Sequence, residues 1–142
     1  MRVFRLENSD GAGPYRADWP DINPYTYDVV RENYSAATNS DCPSVFDDSM
    51  PIPICYLQGP PASALFGCKS LTSLARWWRR SWDQLMPLLR ANNFRVVEYE
   101  VPDDSGWAGN HQIMFVGDAA KVKKRFNLTV LDEIMPKVRE EP

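Results

Sequence analysis

The sequence is short of the residue types on which much enzyme chemistry leans: its 142 residues include one histidine, three cysteines and seven glycines. With a single His111, proton transfer falls to that imidazole or to carboxylates held in unlike environments. Cys42, Cys55 and Cys68 are odd in number and 13 residues apart. They form no CxxC pair, so they read as reduced thiols in a cytoplasmic protein rather than a disulfide framework. Three scattered cysteines and one histidine do not match zinc-ligand spacing, and no metal site is expected. No Walker, GxGxxG or GxSxG motif is present. No apolar run approaches the ~20 residues of a membrane-spanning helix. Charges interrupt the apolar stretch of "MRVFRLENSDG", which therefore does not read as a signal peptide.

A basic excess is also missing. The chain has 16 Lys and Arg against 19 Asp and Glu, so direct nucleic-acid binding is not expected. The charge is uneven, with 4 basic and 9 acidic residues over 1–68 and 12 basic and 10 acidic over 69–142. An acidic stretch over 10–48 also carries Tyr15, Trp19, Tyr25, Tyr27 and Tyr34, residue types favoured at interface hot spots. Asp18, Trp19, Tyr25, Tyr27, Asp47 and Asp48 are the candidate partner contacts. They suit a partner with a basic surface, such as a protein that holds nucleic acid, although a solvated acidic loop whose aromatics pack over the sheet is the commoner case.

What is abundant is proline, with seven of the twelve lying between residues 14 and 60. The N-terminal half is therefore expected to be long and irregular, with a short helix over 27–38 and an edge strand within 51–57. "RVFRLE" (2–7) predicts a strand ended by the turn-rich "NSDGAG". Leu71, Leu74, Ala75, Trp78, Trp82, Leu85, Met86 and Leu89 follow offsets of 3, 4 and 7, one apolar face of a helical segment. Ser70 reads as its N-cap, and Ser81 with Gln84 as a capping box opening a second helix. Pro87 and this cap predict two helices over 71–80 and 82–91, or one kinked helix. Residues 94–101 and 111–117 read as strands, paired as a hairpin across the loop 102–110. Residues 118–126 predict a short helix on Ala119, Val122 and Phe126, residues 127–135 a last strand or turn, and the remainder a fraying end. The class is α+β in a single domain, 1–142: a small, mainly antiparallel sheet, continuous or split, packed on a long kinked or double helix.

Candidate reactive groups are few. His111 reads as a polar residue at a strand edge. Glu98 and Glu100 share one face of a strand and read as a solvent-facing stripe. Cys68 precedes a helix N-terminus, where the dipole and Lys69 favour a thiolate, although a buried structural cysteine is the commoner case. Arg76, Arg79, Arg80 and Arg90 lie off the apolar stripe and are expected in solvent. Trp77 also leaves it and is a candidate contact residue.

"RVFRLE", "GAGPYR", the "FGCKSL" step into a helix, "NNFRVVEYEV" and "HQIMFVGDAA", in this order, resemble small proteins of phages and prophages. The order also resembles the ADP-ribosyltransferase-like fold, in which NAD lies in the split between two sheets. That resemblance implies Arg5 on the NAD phosphates, Ser70 or Thr72 as the middle polar residue, and Gln112 at the catalytic glutamate position. Tyr15 or Trp107 would stack on a ring. Gln keeps a hydrogen bond to the ribose but loses the charge, a change worth about 10²–10³ in rate. Two functions follow as expectations. One is a phage accessory protein that binds and inhibits a host protein, as anti-CRISPR and other counter-defence proteins do, without a cofactor and in the bacterial cytoplasm. The other is an NAD-consuming ADP-ribosyltransferase or glycohydrolase.

Overall fold

The computed structural model describes residues 1–14, 41–42, 48–51, 53 and 63–142. The helix expected over 27–38 lies outside the described residues, as does most of the strand expected within 51–57. The described elements are β1 (Arg2–Glu7), β2 (Ala64–Gly67), α1 (Leu71–Trp78), α2 (Trp82–Ala91), β3 (Arg95–Glu100), β4 (Gly106–Ala108), β5 (Ile113–Val116), β6 (Lys121–Phe126) and α3 (Thr129–Arg139). The fold is α+β, as the sequence leads one to expect, and its sheet is split.

Each half has three antiparallel strands, in the orders β1-β3-β6 and β2-β5-β4. One bridge joins them, with Phe4 and Cys68 each donating its N–H to the other's carbonyl at 2.8 Å. Gly67 permits this approach: a Cβ there would stand 2.5 Å from Val3 Cγ1 and 2.7 Å from the Phe4 carbonyl oxygen. Strand alternation then sorts the core. Val3, Val97, Tyr99, Val101, Ile113 and Phe115 pack between the two halves. On the other face of the first half, Phe4, Leu6 and Val96 meet Leu74, Trp78, Trp82, Leu85 and Leu89 from α1 and α2. Met50, Ala64 and Met114 cover the outer face of the second half.

The helical stripe is buried as its periodicity requires, and the segment is two helices. Ser70 caps the first, its Oγ accepting the Ser73 N–H at 3.0 Å. Ser81 makes no capping bond through its side chain, so the expected capping box is not formed. The break falls at residues 79–81, and Pro87 is accommodated inside α2. Trp77 is half-buried against the helical core and not a free contact residue.

Three further expectations, about strands and helices, fail. Segments 94–101 and 111–117 do not form a hairpin; each supplies the central strand of a separate half. The helix expected over 118–126 is strand β6. Lys123 is bulged out opposite the Glu98–Tyr99 step, so Val122 stands opposite Tyr99 and Phe126 opposite Val96, on different faces, although their spacing of four also fits a helix. Lys124 and Lys121 stand opposite Glu98 and Glu100, cross-strand charge pairs that favour the strand. The C-terminal strand or turn and fraying end are instead α3, where Leu128, Leu131, Met135 and Val138 are buried at offsets of 3, 4 and 3. Asp132 on α3 accepts the Trp82 Nε1–H at 2.7 Å, and Glu141 holds Arg76 through two hydrogen bonds.

Candidate functional site at the seam

Chemistry-bearing residues gather around the seam between the halves, at two places. On β1, Arg5 and Glu7 point toward the inter-sheet core and are buried. Arg5 Nη1 donates to Glu7 Oε2 at 2.7 Å and to the Gly11 carbonyl at 3.2 Å, while Nε reaches across the seam to the Phe66 carbonyl at 3.2 Å. Tyr99 donates its hydroxyl to the Glu7 carboxylate, 2.8 Å from Oε2. Burial and then that carboxylate push the Tyr99 phenol up to about 12. A buried pair satisfied on this scale locks β1, β2 and β3 together. Beside it opens a hollow of about 630 Å³, lined by Glu7, Asn8, Ser9, Asp10, Gly11, Asn93, Arg95, Val97 and Arg125.

The second place is the turn that enters β5. Asp48, with its side chain fully out of solvent, accepts the His111 N–H at 2.8 Å and the Gln112 N–H at 2.9 Å. Its Oδ1 also lies 2.7 Å from His111 Nδ1. The Asp48 carbonyl accepts the Asn110 N–H at 2.9 Å. Gly109 leaves room for this clamp, since any Cβ there would overlap the Asp48 carboxylate. With Nδ1–H donated to Asp48, His111 Nε2 becomes the ring's lone-pair nitrogen. The imidazole lines a cleft of about 50 Å³ together with Asp41, Lys69, Ser73, Arg76 and Asn110.

The expected residues are placed as follows. Arg5 lies on β1 with its head group in the Glu7 pair. Ser70 follows β2 and bonds Ser73 Oγ at 3.0 Å as well as capping α1. Thr72 is exposed on α1. Gln112 is buried immediately before β5, and Trp107 is half-buried on β4 against Met50, Ala64 and Met114. Arg5 and Ser70 thus serve separate groups of contacts. Asp48 is the partner-contact candidate that falls within the described residues; buried beneath the turn, it presents no carboxylate to a partner. Tyr15, Asp18, Trp19, Tyr25, Tyr27 and Asp47 lie outside the described residues.

Other sequence readings are corrected here. Cys68 is buried, and loss of solvent pushes its thiol well above the ordinary range, so it is not an activated nucleophile. Glu98 is not on a solvent-facing stripe. It is buried and bonded to Arg2 through both oxygens at 3.0 and 3.2 Å, and that hydrogen bond holds its carboxyl below the usual range. Arg79 is largely buried and holds Asp41 through two bonds of 2.8 Å. His111 has the partner that the sequence did not reveal, because Asp48 lies 63 positions away. The one available signal was the glycine two positions before the histidine, at a turn tight enough to admit a second chain segment.

Strand β6 adds a charged surface. It is the outer strand of its half, and Lys121, Lys123, Lys124 and Arg125 are exposed along it. Val122, 40% exposed, lies among them and is the exposed large hydrophobic residue of the described set. Among the described residues no three His, Cys, Asp or Glu side chains are grouped to hold a metal, and no helix is long and apolar enough to cross a membrane.

These features define a small α+β protein with a split antiparallel sheet and a polar cleft held at the seam. The model of the Bacteriophage T4 Y00F protein family matches residues 1–129, a span that includes all six strands, and the chain belongs to this family of phage proteins. No curated protein and no solved structure matches it.

Proposed function

We propose that this phage protein is an accessory factor that binds and inhibits a host protein, in the manner of an anti-CRISPR or other counter-defence protein. The observation that carries this reading is β6: four cations and an exposed valine on the outer strand of its half among the described residues. Lysines on an edge deter pairing with a second copy, and they also suit the strand to an acidic partner surface. The acidic, aromatic composition of residues 10–48 is of opposite sign and suits a host protein with a basic face. Arg5, Ser70 and Cys68 support the reading differently, because each is occupied in holding the fold together. Co-purification from bacterial host cells tests it. The wild type retains a partner that is released by salt, and Lys123→Glu with Lys124→Glu abolishes retention. A chain that purifies alone, or that retains its partner equally after charge reversal, overturns the reading.

A second reading is NAD consumption at the seam. It is supported by Arg5 on β1, Ser70 after β2 and Gln112 before β5, the positions that the ADP-ribosyltransferase-like resemblance implies. The hollow lined by Glu7 and Gly11, which the Arg5 head group contacts, also falls in the ~300–1,000 Å³ range of ligand sites, although Arg5, Ser70 and Gln112 do not line it. Incubation with NAD and measurement of released nicotinamide decides it. Turnover that falls about 10²-fold or more in Gln112→Ala supports it, and no release by the wild type ends it.

A further inference from the structure

We infer that the cleft between α1 and the turn 109–112 binds a tetrahedral oxyanion of the phosphate class. Four features carry the inference, and none of them depends on the host-binding or NAD readings. The first is size. A volume of about 50 Å³ exceeds the ~10–15 Å³ that a single water needs and suits a ligand of a few heavy atoms. The second is charge. Lys69 is exposed on the rim and makes no ion pair among the described residues. Arg76 uses Nε and Nη2 on Glu141, which leaves Nη1 for another acceptor. The carboxylate on the rim, Asp41, is already bonded by Arg79 and by Arg80, so its charge is offset locally. The third is donor chemistry. Ser73 and Asn110 supply neutral donors beside the two cations.

The fourth feature is rigidity. A buried carboxylate is costly to desolvate, and here Asp48 is committed to the backbone of residues 111 and 112 and to the His111 ring. This fixes the orientation of the imidazole in a wall of the cleft. A wall fixed in advance binds its ligand without paying to order itself first.

The single histidine makes the test direct, because its ring resonance needs no assignment. Inorganic phosphate is titrated into the full chain at constant ionic strength while the His111 Hε1 signal is followed by NMR. The expected result is a saturable shift that sulfate reproduces and chloride does not. Lys69→Met, a change at an exposed side chain, should weaken binding about fivefold while the unfolding midpoint holds. A parallel titration with a 5′-mononucleotide separates the sources of the group. Equal affinity identifies the phosphate alone as the ligand, and tighter binding identifies a nucleotide. A shift that is linear and equal for phosphate and chloride, or that Lys69→Met leaves unchanged, overturns the inference.

Discussion

The two halves of the sheet are built to different standards. The first, β1-β3-β6, has six-residue strands throughout, a helical layer on one face and the other half on the opposite face. Its buried charges are matched within the half, Arg5 with Glu7 and Arg2 with Glu98. The second, β2-β5-β4, has strands of four, four and three residues. It is held largely from outside, by the bridge to Phe4 and by Asp48 beneath the turn 109–112. One half is a frame that supports itself. The other is an attachment that carries the cleft, and its geometry depends on residues distant in sequence.

Substitutions sharpen this contrast, read by urea unfolding. Glu7→Ala strips a buried arginine of its counter-charge and should cost the frame about 4 kcal/mol. Asp48→Ala orphans the N–H groups of His111 and Gln112 and should cost about 3 kcal/mol, with exchange and chemical-shift changes concentrated around β5. Gly67→Ala drives a methyl into Val3 and the Phe4 carbonyl at the seam; a loss of about 2 kcal/mol is expected. Equal spread of the Asp48→Ala changes over both halves would contradict the division. Ser70→Ala removes a cap bond on the surface side of α1 and should cost about 1 kcal/mol.

The smallest effect is the pH dependence of the Arg2–Glu98 pair. The carboxyl is held below its ordinary value chiefly by the Arg2 hydrogen bond. Its contribution is therefore complete above the unfolded glutamate value of about 4.3 and is lost as pH falls through the lower folded value. Glu98→Gln should flatten that part of the acid limb in a melting-temperature series. An unchanged limb would show that the pair contributes nothing there.

Much of the frame was legible in the sequence, and less of the attachment. Strand β1 and the stripe from Leu71 to Leu89 follow from local periodicity, because each buries one continuous face. β6 was hidden because Val122 and Phe126, four apart, fit one helical face, while the bulge at Lys123 breaks the period of two that would mark a strand. α3 was obscured by Pro136 and its charges, although Leu128, Leu131, Met135 and Val138 carry the pattern. β2 and β4 are too short to alternate visibly. At the site, Arg5, Ser70 and Gln112 were singled out by position along the chain, which gives the element each lies in or beside but not what its side chain holds. The Asp48–His111 contact joins residues 63 positions apart, and no local pattern encodes it.

Amide hydrogen exchange on the wild type and on Asp48→Ala tests the division of the sheet most directly. The account predicts that β1 and β3 exchange only through global unfolding, that β4 and β5 exchange faster through an opening of their own, and that the substitution widens the gap. Identical protection in both halves, moved equally by the substitution, would contradict it.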